Sequence, residues 1–159
     1  MDKLKYVVLA ALAAALAACA PPPKRTATTY DSTVKRDCYT VDLFTEAVVE
    51  PPAEDVPAEW KGFSGVWGGG AWEGKWCHDL YVLSIDANGQ VTVIETHGPF
   101  EDWGREATAF RRQGYITDKG RLRLIYSNVS VEYELAGDKL HGRRKEGAGE
   151  MLIKLSPKV

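Results

Sequence analysis

Histidines and carboxylates that could do acid–base or metal chemistry occur at two places in the chain. His78 and Asp79 follow a cysteine directly. His97 lies shortly before Glu101 and Asp102. A histidine and a carboxylate can exchange protons, but the chain has no His-Glu-x-x-His, Cys-x-x-Cys or Gly-x-Ser-x-Gly motif and no phosphate-binding glycine loop before a helix. We therefore predict no enzyme activity, no metal site and no cofactor.

A second group of residues could bind a ligand by stacking. Trp67, Trp72 and Trp76 lie within the glycine-rich segment 65–78. Glycine lets the backbone bend sharply, and an indole offers a broad apolar face with one hydrogen-bond donor. The three indoles are therefore candidate ligand-binding residues for a sugar ring or an apolar group. The alternative is that they plug the end of a β-domain, because large aromatic side chains are often buried.

The amino terminus has the order of charged and apolar residues that is typical of a secretory signal. Lys3 and Lys5 precede an apolar run over 6–18, which is shorter than the roughly 20 residues of a membrane-spanning helix. The run ends on Leu16-Ala17-Ala18, directly before Cys19. This arrangement resembles the lipobox of bacterial lipoprotein precursors, and an ordinary secretory signal would leave the cysteine unexplained.

The resemblance implies a location as well as a modification. Residues 1–18 would be a signal peptide, and Cys19 would carry a diacylglyceryl group and an amide-linked acyl chain. Each buried methylene contributes about 0.8 kcal/mol, so two or more chains hold a protein stably. We expect a lipid-anchored protein of the cell envelope that faces the periplasm. The outer membrane is favoured over the inner membrane because Ala20, rather than Asp, follows the cysteine.

The two remaining cysteines, Cys38 and Cys77, predict a disulfide, because an exported chain matures in an oxidising compartment. Two free thiols are the alternative. Residues 19–59 begin with Pro-rich sequence and predict a tether, followed by one strand at 38–44. Residues 60–159 form the predicted folded domain.

The charge of the chain is uneven. Residues 20–103 contain 14 acidic and 6 basic residues, whereas residues 104–159 contain 12 basic and 7 acidic residues. Six arginines recur on neighbouring predicted strands: Arg111, Arg112, Arg121, Arg123, Arg143 and Arg144. They could form a patch for lipid headgroups or another anionic envelope polymer, or could pair across strands with Glu132, Glu134 and Glu146. An acidic, exported chain is not expected to bind nucleic acid.

From residue 60 onward, short β-forming runs alternate with turn residues, and no run has a long helical period. Runs lie at 63–67, 80–85, 91–94, 107–111, 115–117, 121–126, 129–135, 139–142 and 151–155. They predict a mainly β domain, built as a small antiparallel meander of about eight strands. Closure into a barrel removes exposed edges, and a two-sheet sandwich is the alternative.

Two short motifs add a resemblance to known barrels. Gly65-Val66-Trp67 resembles the Gly-x-Trp that opens lipocalin-like barrels. Together with Cys77-x-x-Leu80-x-Val82-x-x-Ile85 it is similar to the start of periplasmic inhibitor barrels. We expect a non-catalytic envelope lipoprotein whose β-domain binds or scaffolds a partner. The alternatives are an inhibitor of a lysozyme-type or protease-type enzyme, and a carrier with a cavity behind Trp67 and Trp72.

Overall fold

The computed structural model describes residues 27–41, 43 and 47–158. The predicted signal peptide, the lipobox with Cys19 and the start of the tether lie outside these residues. Within the described part of the chain, no helix is long and apolar enough to cross a membrane.

Eight antiparallel strands follow one another around a closed barrel. They are β1 (Gly65–Trp72), β2 (Trp76–Ile85), β3 (Gln90–His97), β4 (Thr108–Ile116), β5 (Leu122–Tyr126), β6 (Val129–Ala136), β7 (Lys139–Glu146) and β8 (Gly149–Pro157). Strand β8 returns to β1, where Trp67 lies opposite Pro157 and Gly68 opposite Ser156. The predicted meander barrel is confirmed, and the sandwich alternative is wrong because the sheet closes on itself.

The segment before β1 covers one end of the barrel. Helix α1 (Ala58–Lys61) is a single turn, and Phe63 directly after it is fully buried. The carbonyl of Phe63 accepts a hydrogen bond of 2.8 Å from the Trp67 indole. The ring of Trp60 lies against Gly89 in the β2–β3 turn. We call this the apolar end.

The inward-facing side chains divide the barrel into two halves, because alternate residues of a strand point to the same face. Near the apolar end they are aliphatic: Leu80, Val82, Val91, Val93, Leu122, Leu124, Leu140 and Leu155, all almost completely buried. Towards the opposite end the same inward positions carry His78, Glu95 and His97, which are also buried. We call this second end the polar end.

Glycines change two of the predicted strand boundaries. Gly114, predicted to separate two strands, lies inside the continuous β4. A Cβ at this position would meet the side chain of Leu124 and the backbone oxygen of Arg123, so only glycine allows β4 and β5 to approach this closely. Gly68 to Gly70, which follow the predicted run at 63–67, lie within β1. Gly69 has a φ of +74° there, and the register shifts between Trp67 and Gly70.

The N-terminal strap (residues 27–41) crosses the seam between β1 and β8. Its Lys35 amide donates to Gly69 of β1 at 3.0 Å, and its buried Thr33 hydroxyl accepts from the amide of Lys154 in β8 at 2.7 Å. The predicted disulfide between Cys38 and Cys77 is confirmed, with 5.2 Å between the two Cα atoms. The strap therefore joins both strands of the seam.

The strand predicted at 38–44 is not formed by the part of it that the structure describes, residues 38–41 and 43. Side-chain hydrogen bonds hold this segment in place, rather than backbone pairing with a neighbouring strand. The hydroxyl of Thr40 donates to Asp79 at 3.0 Å, and the same carboxylate accepts from Lys158 at 2.7 Å.

We expect the double variant Cys38→Ser/Cys77→Ser to lose stability. The disulfide closes a loop with a sequence separation of 39 residues, for which the chain-entropy relation gives about 3–4 kcal/mol. Urea denaturation followed by tryptophan fluorescence measures the loss. Reduced wild-type protein is the matched control and should unfold at the same urea concentration as the variant. Equal stability of the variant and the oxidised wild type would contradict the prediction.

Candidate ligand-binding site at the polar end

A cleft of about 390 Å³ opens into the polar end. Strand β4 pairs with β5 over Gly114 to Ile116, so the first half of β4 diverges from the β5–β6 turn. The cleft lies between these two segments and reaches Trp76 and His97 inside the barrel. It is lined by Trp76, His97, Arg105, Glu106, Thr108, Phe110, Arg112, Tyr126, Ser127, Asn128, Val129, Arg144 and Glu146.

The register of β2 and β3 brings the two predicted histidines together. His78 lies directly opposite His97, and their ring centroids are 4.6 Å apart. The His97 ring also stacks on Trp76, with centroids 4.3 Å apart. The predicted run at 91–94 extends further than expected, because His97 is the last residue of β3. The two histidines and Trp76 therefore form one row of contacting rings.

The hydrogen bonds of His78 fix its tautomer. Its Nδ1 lies 3.1 Å from the backbone carbonyl of Thr96, and its Nε2 lies 2.8 Å from the hydroxyl of Tyr133. A carbonyl oxygen only accepts hydrogen bonds, so Nδ1 carries the proton and Nε2 accepts from Tyr133. Burial lowers the pKa of His78 to about 3, against the favourable bond to Thr96. His78 is thus a neutral structural group.

His97 has a different environment. Its side chain is only 3% exposed, and neither ring nitrogen has a hydrogen-bond partner among the described residues. Burial lowers its pKa well below the usual range, and the nearby His78, Arg144 and Arg112 lower it further. A buried polar group without a partner costs free energy, and His97 borders the cleft. It offers one donor and one acceptor to a molecule there.

Below the cleft lies a buried ion pair. The Nε of Arg112 is 2.8 Å from the Glu95 carboxylate, which is fully buried. Burial raises the pKa of Glu95, and the charge and hydrogen bond of Arg112 oppose that shift. The guanidinium of Arg112 also lies 3.5 Å from the centroid of the Tyr126 ring. Arg112 therefore connects the barrel interior with the wall of the cleft.

Arg144 enters the same region from β7 and is only 4% exposed. Its Nη1 donates to the Tyr126 hydroxyl and its Nη2 to Glu146, each at 2.8 Å. Its Nε has no partner among the described residues. The guanidinium lies 5.5 Å from the Trp76 ring centroid, within the range of a cation–π contact.

The rim of the cleft is formed by the loop between β3 and β4. Phe100 and Trp103 pack edge to face, with centroids 4.7 Å apart. The Arg105 guanidinium lies 4.9 Å from the Trp103 ring and 5.5 Å from the Trp76 ring. Trp103 is 48% exposed, so an indole face is accessible beside the cleft.

The three predicted tryptophans are placed differently from one another. Trp67 and Trp72 are buried in the core, where they present no accessible ring face for stacking. Trp76 is buried as well, yet it borders the cleft. Ligand binding by these residues stays a prediction. Of the three, Trp76 is the one that a ligand in the cleft would contact.

The six predicted arginines do not form one face. Arg112 and Arg144 point into the polar end, whereas Arg111 precedes Arg112 on β4 and faces outward. The other three pair across strands on the outer surface: Arg121 is 3.0 Å from Glu134, Arg123 is 3.5 Å from Glu132, and Arg143 is 3.4 Å from Glu150. Arg121 and Arg123 thus have the partners that the alternative interpretation of the patch named, Glu134 and Glu132. Glu146, the third glutamate of that interpretation, pairs with Arg144 of its own strand.

Several residues of the site were not predicted: Glu95, Arg105, Phe110, Tyr126 and Tyr133. One signal was available, because Glu95 and His97 continue the inward alternation of Val91 and Val93. A charged residue on an otherwise apolar face indicates a buried polar site. Among the described residues, no group of three or more His, Cys, Asp or Glu could hold a metal ion.

Comparison of the chain with protein-family models, curated proteins and solved structures finds no match.

We expect the free energy of unfolding to decrease as the pH is lowered from 7.5 to 5. The folded protein keeps His78 and His97 neutral, so the unfolded chain takes up their protons below the ordinary pKa of 6.5. Each histidine then contributes a slope of up to about 1.4 kcal/mol per pH unit. Glu95 opposes the trend because its raised pKa makes the folded state bind a proton first. Urea denaturation at a series of pH values measures the slope.

The variant His78→Gln/His97→Gln should remove this loss and leave the weak opposite trend of Glu95. His97→Gln alone, which breaks no hydrogen bond, should remove about half of it. His141→Gln is the control, because His141 stacks on Tyr30 outside the barrel and its replacement should leave the slope unchanged. An unchanged slope in the double variant would refute the explanation.

Proposed function

We propose that this chain is a lipid-anchored protein of the cell envelope whose barrel binds a small ligand in the polar-end cleft. The cleft ends on His97, a buried ring whose two nitrogens have no partner among the described residues. Buried polar groups in proteins are normally hydrogen-bonded. A ligand that occupied the cleft would supply the missing partner, and this observation carries the proposal.

The size and lining of the cleft support the same conclusion. Ligand sites are typically clefts of about 300–1,000 Å³ with mostly apolar walls and a few placed polar groups. This cleft, at about 390 Å³, has walls from Trp76, Phe110, Tyr126 and Val129. Its polar groups converge from three strands, since His97 is on β3, Arg112 on β4 and Arg144 on β7.

Binding, rather than turnover, fits the state of the histidines. His78 is engaged at both ring nitrogens. His97 is held neutral by burial, far from the pKa near the working pH that suits a general acid or base. A rigid, neutral ring can orient a ligand without exchanging a proton with it. The proposed role is therefore non-catalytic.

The path of the chain relates the anchor to the cleft. Thr28, close to the start of the described residues, lies beside Trp72, Trp76 and Trp103 at the polar end. Cys19 precedes residue 27 by eight positions, and such a segment spans about 28 Å at most. A lipid on Cys19 would hold the polar end, with its cleft, within that distance of the bilayer.

We expect Cys19→Ser to abolish lipidation. The thiol is the attachment point that the lipobox resemblance implies, so the variant should move from the detergent phase to the aqueous phase in a detergent-partition experiment. Mass analysis of the amino-terminal peptide should show no acyl chains. The variant Cys38→Ser/Cys77→Ser is the matched control and should keep the lipid. Unchanged partitioning of Cys19→Ser would contradict the anchor.

We expect Asn128→Trp to block ligand binding. Asn128 is exposed at the mouth of the cleft, and an indole there would fill the entrance. In a thermal-shift panel of sugars, organic acids, amides and lipids, a ligand present at a hundred times its Kd should stabilise the wild type by about 2.7 kcal/mol. The same ligand should not stabilise Asn128→Trp.

Asn88→Trp is the matched control for Asn128→Trp. Asn88 is also an exposed turn residue, and it lies in the β2–β3 turn at the opposite end of the barrel. This variant should bind as the wild type does. A panel in which no compound stabilises the wild type, or in which both variants bind equally, would contradict a ligand site in the cleft.

A further inference from the structure

We infer that the ligand of the polar-end cleft is an organic anion with a flat apolar body, such as an aromatic carboxylate. The inference rests on the proposed function, because it names the chemical class that the same cleft would take. It is carried by the arrangement of guanidinium groups and aromatic rings along one wall of the cleft.

Guanidinium groups and aromatic rings alternate along this wall. The Arg112 guanidinium lies 4.8 Å from the Phe110 ring and 3.5 Å from the Tyr126 ring. The Arg144 guanidinium lies 5.9 Å from the Tyr126 ring and 5.5 Å from the Trp76 ring. We call this series the guanidinium–aromatic ladder: Phe110, Arg112, Tyr126, Arg144, Trp76, Arg105 and Trp103.

Contacts with the rings of the ladder hold the guanidinium groups in place before a ligand arrives. Stacking on ring faces leaves the N–H groups at the edge of each guanidinium plane, and five such donors are present in each arginine. A preorganised fork of this kind matches a carboxylate or phosphate in bidentate geometry. Binding then does not have to order these long side chains, so the conformational entropy that such ordering costs is not lost at that step.

Some of these donors have no acceptor among the described residues. Arg112 uses Nε for Glu95, which leaves its two terminal nitrogens for another group. Arg144 has a free Nε in a nearly buried side chain. Arg105 is exposed and has no ion pair in the described part of the chain. All three arginines line the same cleft, where their unused N–H groups are available to an acceptor.

The carboxylates of the site do not fill this role. Glu95 lies beneath Arg112 and is bound to it, and Glu146 accepts from Arg144 at its outer side. Glu106 is exposed on the same side of the cleft. Guanidinium N–H groups cannot accept a hydrogen bond, so the three arginines of the ladder favour an acceptor over a donor group. A charged acceptor makes hydrogen bonds about twice as strong as a neutral one.

The rest of the cleft selects the body of the ligand. Phe110 is 44% exposed and faces the cleft together with Val129. The Trp76 ring closes the floor, and the neutral His97 stacks on it. A flat apolar body can lie against these surfaces while its charged end meets the arginines.

Isothermal titration calorimetry with two matched probes tests the inference. 2-Naphthoate and 2-naphthamide have the same bicyclic body, and only the acid is charged. We expect the acid to bind wild-type protein at least tenfold more tightly than the amide. Its affinity should also fall with rising salt, because partly exposed charges are screened.

Variants of the arginines test whether the preference for 2-naphthoate over 2-naphthamide comes from the ladder. Arg105→Gln removes an exposed side chain and should weaken the acid about five- to tenfold. Arg112→Gln/Glu95→Gln replaces the buried ion pair by two amides, which avoids an unpaired carboxylate. This double variant should also bind the acid about five- to tenfold more weakly. Arg111→Gln is the control, because Arg111 is the exposed, outward-facing neighbour of Arg112 and its loss should leave the affinity unchanged. Arg105→Gln alone decides the question if the double variant does not fold.

The outcomes separate this inference from the proposed function. Equal affinity for acid and amide, with both lost in Asn128→Trp, would overturn the anionic ligand and leave the ligand site standing. Tight acid binding that is unaffected by the ladder variants would also overturn it. Binding of neither probe would overturn the inference, and a thermal-shift panel without any stabilising compound would overturn the proposed function as well.

Discussion

The organisation of the polar end depends on one constraint, the burial of the Glu95 carboxylate inside the barrel. An unpaired charge in that position would be very costly, since breaking a buried pair costs about 3–5 kcal/mol. Arg112 therefore has to turn inward from β4 and bind the carboxylate at 2.8 Å. Its guanidinium then lies over the Tyr126 ring, and the Tyr126 hydroxyl accepts a hydrogen bond from Arg144. The position of each group along the cleft wall thus follows from the pair beneath it.

Much of the fold could be predicted from the sequence, because short β-forming runs and turn residues carry most of the signal. Strands β2 and β3 contain the predicted runs at 80–85 and 91–94, and the turn between them forms around Asp86 and Gly89. The errors lie where glycine acts through space rather than through the local chain. Gly114 marks a close approach of β4 to Leu124 and Arg123, and its neighbours in sequence give no sign of that contact.

The site was harder to predict than the fold, because strand register decides it. His78 and His97 are 19 positions apart in the sequence, and only the alignment of β2 with β3 brings their rings into contact. The arginines show the same dependence: Arg111 and Arg112 are adjacent in sequence, yet one faces outward and the other lines the cleft. Composition revealed the basic character of the second half of the chain, but the partners of each arginine are set by strand pairing.

Two covering segments direct solvent access towards the polar end. The segment around Phe63 closes the apolar end. The N-terminal strap bridges β1 and β8 through Lys35 and Thr33, and the disulfide joins it to β2. Between β4 and the β5–β6 turn the barrel wall is instead lined by exposed and half-buried side chains. Cys77 lies between Trp76 and His78, so the disulfide holds the part of β2 that carries both rings against the strap. A firmly held wall is what a preorganised site requires.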